Sequence, residues 1–199
     1  MVKSKTKLAL LAIFFIFNFA SISSGNISSK FINIITSKAT DILSSEETKE
    51  NKIEQLIKIG EESVDIDGIG FYTLGKHRKN LSENQKEEYK RIFREYFLKS
   101  FSNRLVEYTE AKIVVISEDI KNEKYTIVKS KLLATSSRPE VSIDWRVYTK
   151  DPVKPLVRDL IIEGLSLART QREEFNSIIS NNNGDINALL SSLKEFNNK

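Results

Sequence analysis

Beyond the first 25 residues the apolar positions recur every three or four residues: Phe31, Ile34, Ile35, Ile42 and Leu43, then Ile53, Leu56 and Ile57 after the polar stretch Ser44 to Asn51. That period predicts two short helices. Asp65 or Asp67 can cap a third helix over Ile69, Phe71 and Leu74, closed by Gly75, a residue type that tolerates a left-handed C-terminal position. Ser82 followed three residues later by Gln85 is a capping box, opening the longest predicted helix, from Glu83 to about Tyr108. Tyr89, Ile92, Phe93, Tyr96, Phe97, Phe101, Leu105 and Tyr108 form one stripe along it, with Lys86, Glu87, Lys90, Arg91, Arg94, Glu95 and Arg104 on the polar face.

After Tyr108 the period changes to that of strands, predicted over Lys112 to Ser117, Lys124 to Ser136, Val141 to Lys150 and Leu156 to Glu163. Asn122-Glu123, Arg138-Pro139 and Asp151-Pro152 through Pro155 supply the turns. Connections this short pair the strands antiparallel. In the third strand Ile143, Trp145 and Val147 share a face, with Asp144, Arg146 and Tyr148 opposite. The last strand reads as running without a loop through Glu163-Gly164 into an amphipathic helix from Ser166 to about Ser180. A final helix, Ile186 to Phe196, follows the Asn183-Gly184 stop and the Asp185 cap. The expected fold class is α+β: a four-stranded antiparallel twisted sheet with helices packed on one face, the long helix laid across it, and an apolar cavity enclosed between them.

The N-terminus changes how the charge is read. Lys3, Lys5 and Lys7 precede an apolar run from Leu8 to Phe17, and the small residues Ser21, Ser23, Ser24 and Gly25 follow, which is the pattern of a cleavable secretory signal over residues 1–24. The run is short of the roughly 20 residues that a membrane-spanning helix needs. Losing that segment takes the chain from a net charge of +4 to 28 Lys and Arg against 27 Asp and Glu, a net +1. So balanced a mature chain lacks the one-sided basic field of sequence-independent nucleic-acid binding, and that class is set aside. With no cysteine, neither a disulfide nor a lipidated thiol is available, and residues 25–199 must be held by a core, as one domain.

Little invites catalysis or metal binding. The single histidine, His77, sits in the cluster Lys76-His77-Arg78-Lys79, which reads as a solvated loop or as a docking patch for an acidic partner or a lipid phosphate. Asp159 and Glu163, four apart on one strand, share a face. They could pair as catalytic carboxylates, bond the backbone of the strand-to-helix turn, or meet Arg172. The aromatic stripe of the long helix reads first as core, though an apolar cavity would use the same residues.

Asp159, Glu163, Gly164, Ser166, Leu167, Arg172 and Phe175 resemble the signature of the MlaC (toluene-tolerance, ABC-transporter auxiliary) family of periplasmic phospholipid carriers. Asp67, Leu74-Gly75, Gln85 with Tyr89 and Phe93, and Ile143-Asp144-Trp145-Arg146 follow the family's order from about Asp65 to Leu193. His77, Tyr89 and Pro155 depart from it, standing where members often carry an aromatic residue, Phe and Trp. The resemblance implies a periplasmic monomer without cofactor or catalytic residues. It would shuttle phospholipid between an MlaA-like outer-membrane lipoprotein with its porin and the MlaD-like MCE-domain subunit of an inner-membrane ABC transporter. The cavity lining expected with it is Phe71, Leu74, Phe93, Phe97, Phe101, Leu105, Val115, Ile127, Ile143, Trp145, Val147, Ile161 and Leu165. The alternatives are a structural adaptor with a filled core, or a small hydrolase or isomerase on a similar scaffold.

Overall fold

The structure, a computed structural model, describes residues 27–199, so the predicted signal segment lies outside the described residues. Three helices open the chain: α1 (Ile27–Ser44), α2 (Lys49–Ser63) and α3 (Ile66–Thr73). A short 3-10 helix, Gly75–Asn80, leads to the long α4 (Glu83–Leu105). Their boundaries follow from local chemistry. Thr48 accepts the Asn51 N–H at the start of α2, Asp65 accepts the Gly68 N–H at the start of α3, and Ser82 and Gln85 close the expected capping box on α4. Gly75 adopts a φ of 55°, the left-handed conformation expected of the residue that ends α3.

The sheet follows: β1 (Ile113–Asn122), β2 (Tyr125–Leu132), β3 (Val141–Tyr148), β4 (Leu156–Ile162) and the two-residue β5 (Leu165–Ser166). All neighbours are antiparallel and in sequence order. α5 (Leu167–Asn181) and α6 (Ile186–Asn197) close the chain, capped by Ser166 and Asp185. The fold class is the expected α+β with an antiparallel sheet, but the strands number five.

The fifth strand exists because β4 does not run straight into the helix. Glu163 and Gly164 take φ values of 48° and 81°, a tight two-residue hairpin that folds Leu165-Ser166 back on β4. A second departure concerns the long helix. α4 packs on α2, α3 and α6 in a helical layer, and it is α1 that lies on β1 and β2. α4 behaves this way because its buried positions, Tyr89, Ile92, Phe93, Leu98 and Ser102, spread around the helix rather than lining one face, as suits an element with neighbours on several sides.

Candidate functional site

The buried apolar side chains form three separate clusters. The largest belongs to the helices: Ile66, Ile69, Leu74, Leu81, Tyr89, Ile92, Phe93, Leu98, Ala168, Phe175 and Ile179, with the α6 residues Ile186, Leu189, Leu190 and Leu193. A second joins Ile32 of α1 to Val128, Val147 and Val157 of the sheet. The third, Leu43, Leu56 and Val106, ties α1, α2 and the end of α4 together. Domains usually show one contiguous core with smaller satellite clusters. Val64, half-buried between α2 and α3, packs against both the helical and the sheet cluster. Beside it the Asp65 N–H bonds the Val157 carbonyl at 2.9 Å, and Val64 bridges Val157.

Further apolar side chains of both layers are only half-buried. On the helical side stand Phe71, Phe97 and Phe101, the last two with stacked rings 5.8 Å apart. On the sheet side stand Val115, Trp145, Leu160 and Ile162. Sheet register explains that side: Trp145 lies opposite Val128 and Leu160, and Ile143 opposite Ser130 and Ile162, so these residues share the face that α1 partly covers. The one indole N–H there is satisfied, since Trp145 donates to Ser130 Oγ at 2.8 Å and Ser130 Oγ donates in turn to the Ile143 carbonyl at 2.9 Å.

The residues expected to line a cavity therefore divide. Phe97, Phe101, Val115 and Trp145 are half-buried, as is Phe71 beside the helical cluster. Leu74 and Phe93 are interior to that cluster, and the Phe93 ring lies about 6 Å from those of Tyr96, Phe97 and Phe175. Val147 is fully buried against α1's cluster, Ile143 is buried on the same sheet face, and Leu105 packs on the third cluster. Ile127 and Ile161 pair with Arg146 and Asp144, which places them on the opposite face of the sheet. A side-chain period of two permits nothing else. Leu165, on the two-residue β5, is 60% exposed. Sequence reasoning passed over Phe31 and Ile35 of α1 and Leu160 of β4, which pack on the sheet cluster. The helical period of α1 and the unbroken apolar run Leu160-Ile161-Ile162 were the available signals.

The carboxylates resolve into structural roles. Asp159, 5% exposed, accepts Ser166 Oγ at 2.6 Å and the Ala168 N–H at 3.0 Å, holding the start of α5. Glu163 sits in the hairpin turn and accepts the Ser142 N–H. Arg172 meets neither, its guanidinium lying 5.2 Å from the Tyr72 ring centre. At the β4 bulge Arg158 is the unpaired extra residue. It donates to Asp65 Oδ2 at 2.5 Å and to the Tyr125 hydroxyl at 2.7 Å, and covers the Tyr148 ring at 3.7 Å, linking the cap of α3 to the sheet. No group of three or more His, Cys, Asp or Glu poised for a metal occurs among the described residues.

Comparison with known proteins supplies the remaining findings. No curated protein matches the chain. Among solved structures, a phospholipid-binding protein from Ralstonia solanacearum, determined in complex with a phospholipid, shares the fold with a TM-score of 0.70 and 15% identity, over 84% of this chain and 95% of that one. The family model described as MlaC protein matches residues 26–195, and the chain belongs to the MlaC family.

Proposed function

We propose that the protein is a non-enzymatic phospholipid carrier of the periplasm, whose acyl chains lodge in the seam between the helical and sheet clusters. The observation that carries this reading is that apolar side chains of both layers, Phe97 and Phe101 on α4 and Trp145 and Leu160 on the sheet, are left only half-buried, while the buried side chains fall into distinct helical and sheet clusters. Membership of the MlaC family and the phospholipid held by the Ralstonia relative support it.

Energetics define the task. Moving an acyl chain into water costs about 0.8 kcal/mol per methylene, on the order of 10 kcal/mol per chain, so unassisted passage between membranes is negligible. The carrier has to hide the chains while leaving the charged headgroup in water, because burying it unpaired costs more than the chains gain. Nor can it bind without limit, since the same chains must leave again. Apolar walls without fixed polar partners meet both demands. In this reading residues 1–24 direct export, residues 25–199 form the carrier, and cargo passes between an MlaA-like outer-membrane lipoprotein and an MlaD-like MCE subunit of an inner-membrane transporter.

Mass spectrometry of the protein purified from cells tests the reading. A bound two-chain phospholipid is expected. A protein that arrives empty and takes no lipid from vesicles would instead be a structural adaptor with a filled core.

A further inference from the structure

Four cations gather around Gly75, none of them in an ion pair among the described residues. Lys76, Arg78 and Lys79 stand exposed on the 3-10 helix. Arg172 approaches from α5, its Nε 2.9 Å from where a Cβ on Gly75 would sit and its guanidinium 5.2 Å from the exposed Tyr72 ring. His77 Nε2 lies 3.2 Å from Asn176 Oδ1, tying the 3-10 helix to α5 at a second point. The ion pairs among the described residues engage none of Lys76, Arg78, Lys79 and Arg172. The nearest basic neighbour on α5, Arg169, is taken by Glu173 at 3.1 Å, and Lys86 at the start of α4 by Glu83 at 2.6 Å. At the N-terminal end of α5 two apolar side chains protrude, Leu165 at 60% and Leu167 at 42% exposure.

We propose that this surface, Lys76, Arg78, Lys79 and Arg172 around Tyr72, seats the protein on an anionic phospholipid bilayer. The inference rests on the carrier reading, since a carrier has reason to meet a bilayer surface. With a net charge of only +1 after loss of the N-terminal segment, the whole molecule has little long-range attraction for an anionic membrane. A local group of cations within one Debye length restores it, because juxtamembrane lysines and arginines add their contributions. Tyr72, with an apolar ring and a polar tip, suits the headgroup level. A bilayer is favoured over an acidic protein because these four cations carry one sign and none is held in an ion pair among the described residues, whereas a protein interface takes its register from paired charges of both signs.

Co-sedimentation of the purified protein with phosphatidylcholine vesicles, with and without phosphatidylglycerol, tests this at low and high salt. Binding should require phosphatidylglycerol and vanish at high salt. At about fivefold per cation, the K76Q/R78Q/K79Q variant should partition about a hundredfold more weakly while keeping its co-purified phospholipid. The K150Q/K154Q variant, altered in the exposed turn between β3 and β4, should bind like the unaltered protein. Equal binding to both kinds of vesicle, full binding by K76Q/R78Q/K79Q, or an equal loss in K150Q/K154Q would each overturn the proposal. So would a protein that ignores all vesicles but loses exchange with an acidic protein partner in K76Q/R78Q/K79Q. Phosphatidylglycerol-dependent binding, lost in K76Q/R78Q/K79Q, by a protein that carries no phospholipid would uphold this proposal and sink the carrier reading.

Discussion

Ser166 caps α5 through its own hydroxyl, which accepts the Arg169 N–H at 3.1 Å, while that hydroxyl donates to the buried Asp159 carboxylate at 2.6 Å. Asp159 also takes the Ala168 N–H, so one side chain of β4 satisfies two groups at the head of the next helix. Asp159→Ala leaves a buried N–H without its acceptor and frees the cap. It should cost about 2 kcal/mol and lower the melting temperature by about 4–8 °C. Calorimetry checks it, and an unchanged melting temperature would contradict the assigned role.

Gly70 is a case in which two effects of opposite sign can be ranked. Ala in place of Gly inside a helix gains up to about 1 kcal/mol of propensity. A Cβ there would meet Phe93 Cδ1 at 2.8 Å, and Phe93 is walled in by Tyr96, Phe97 and Phe175, so it has nowhere to move. Overpacking of this kind costs about 1–3 kcal/mol, so Gly70→Ala should lower the urea midpoint. A raised midpoint would show that the ring yields.

What the sequence made legible follows from where the determining chemistry lies. Ser82 with Gln85, Asp65, Gly75 and Asp185 act on their own neighbours, and each sits at the helix boundary expected of it. The Glu163-Gly164 hairpin went unread because a glutamate is a poor advertisement for a left-handed φ, and only the pairing of β5 with β4 makes it worthwhile. Long-range partnership was the other limit. The stripe on α4 states that its residues are buried but not by what, and the helical layer took the place expected of the sheet. For the site, alternation placed Ile143, Trp145 and Val147 together, whereas the opposite orientation of Ile127 and Ile161 emerges only from register across strands.

Alkaline pH should loosen the helical layer. Burial holds the Tyr89 phenol well above its ordinary range, the nearby Thr73 hydroxyl opposing the shift only in part. Burial raises Tyr96 as well, helped by Glu174. A raised folded-state pKa means that the stabilisation is fully present below the unfolded value, about 10 for tyrosine, and is lost as the pH climbs through the folded values. The urea midpoint should be flat to about pH 9 and fall above it. In Tyr89→Phe the alkaline decline should be shallower, at the cost of the bond to the Gly70 carbonyl. An identical decline in Tyr89→Phe would assign the effect elsewhere.

Arg158 joins the two halves of the fold, and lysine should not replace it. Its fork reaches Asp65 and Tyr125 together, and its plane covers Tyr148 at 3.7 Å. An ammonium group offers neither the fork nor the plane. Arg158→Lys should cost about 1.5–3 kcal/mol in urea unfolding, the range for hydrogen bonds to charged groups. Double-mutant comparison with Tyr125→Phe should give less than the sum of the two losses, since both remove the same bond. Strict additivity would argue against the shared network.

The difference between interior and seam yields the sharpest test of where lipid sits. Phe93 is 2% exposed and enclosed by other rings, so Phe93→Glu buries an unpaired carboxylate in a packed cluster and should unfold the domain. Phe97 and Phe101 lie further along the same helix and are only half-buried. A carboxylate at either position can keep part of its hydration, so Phe97→Glu and Phe101→Glu should fold. If acyl chains lodge beside these rings, as proposed, the same charge would face them, and displacing their methylenes at about 0.8 kcal/mol each would release the lipid. Circular dichroism should therefore be native-like for at least one of Phe97→Glu and Phe101→Glu, and mass spectrometry should find it stripped of phospholipid. Folded variants at both positions that retain phospholipid would place the acyl chains elsewhere, and unfolding of both would mean that Phe97 and Phe101 belong to the interior as fully as Phe93 does.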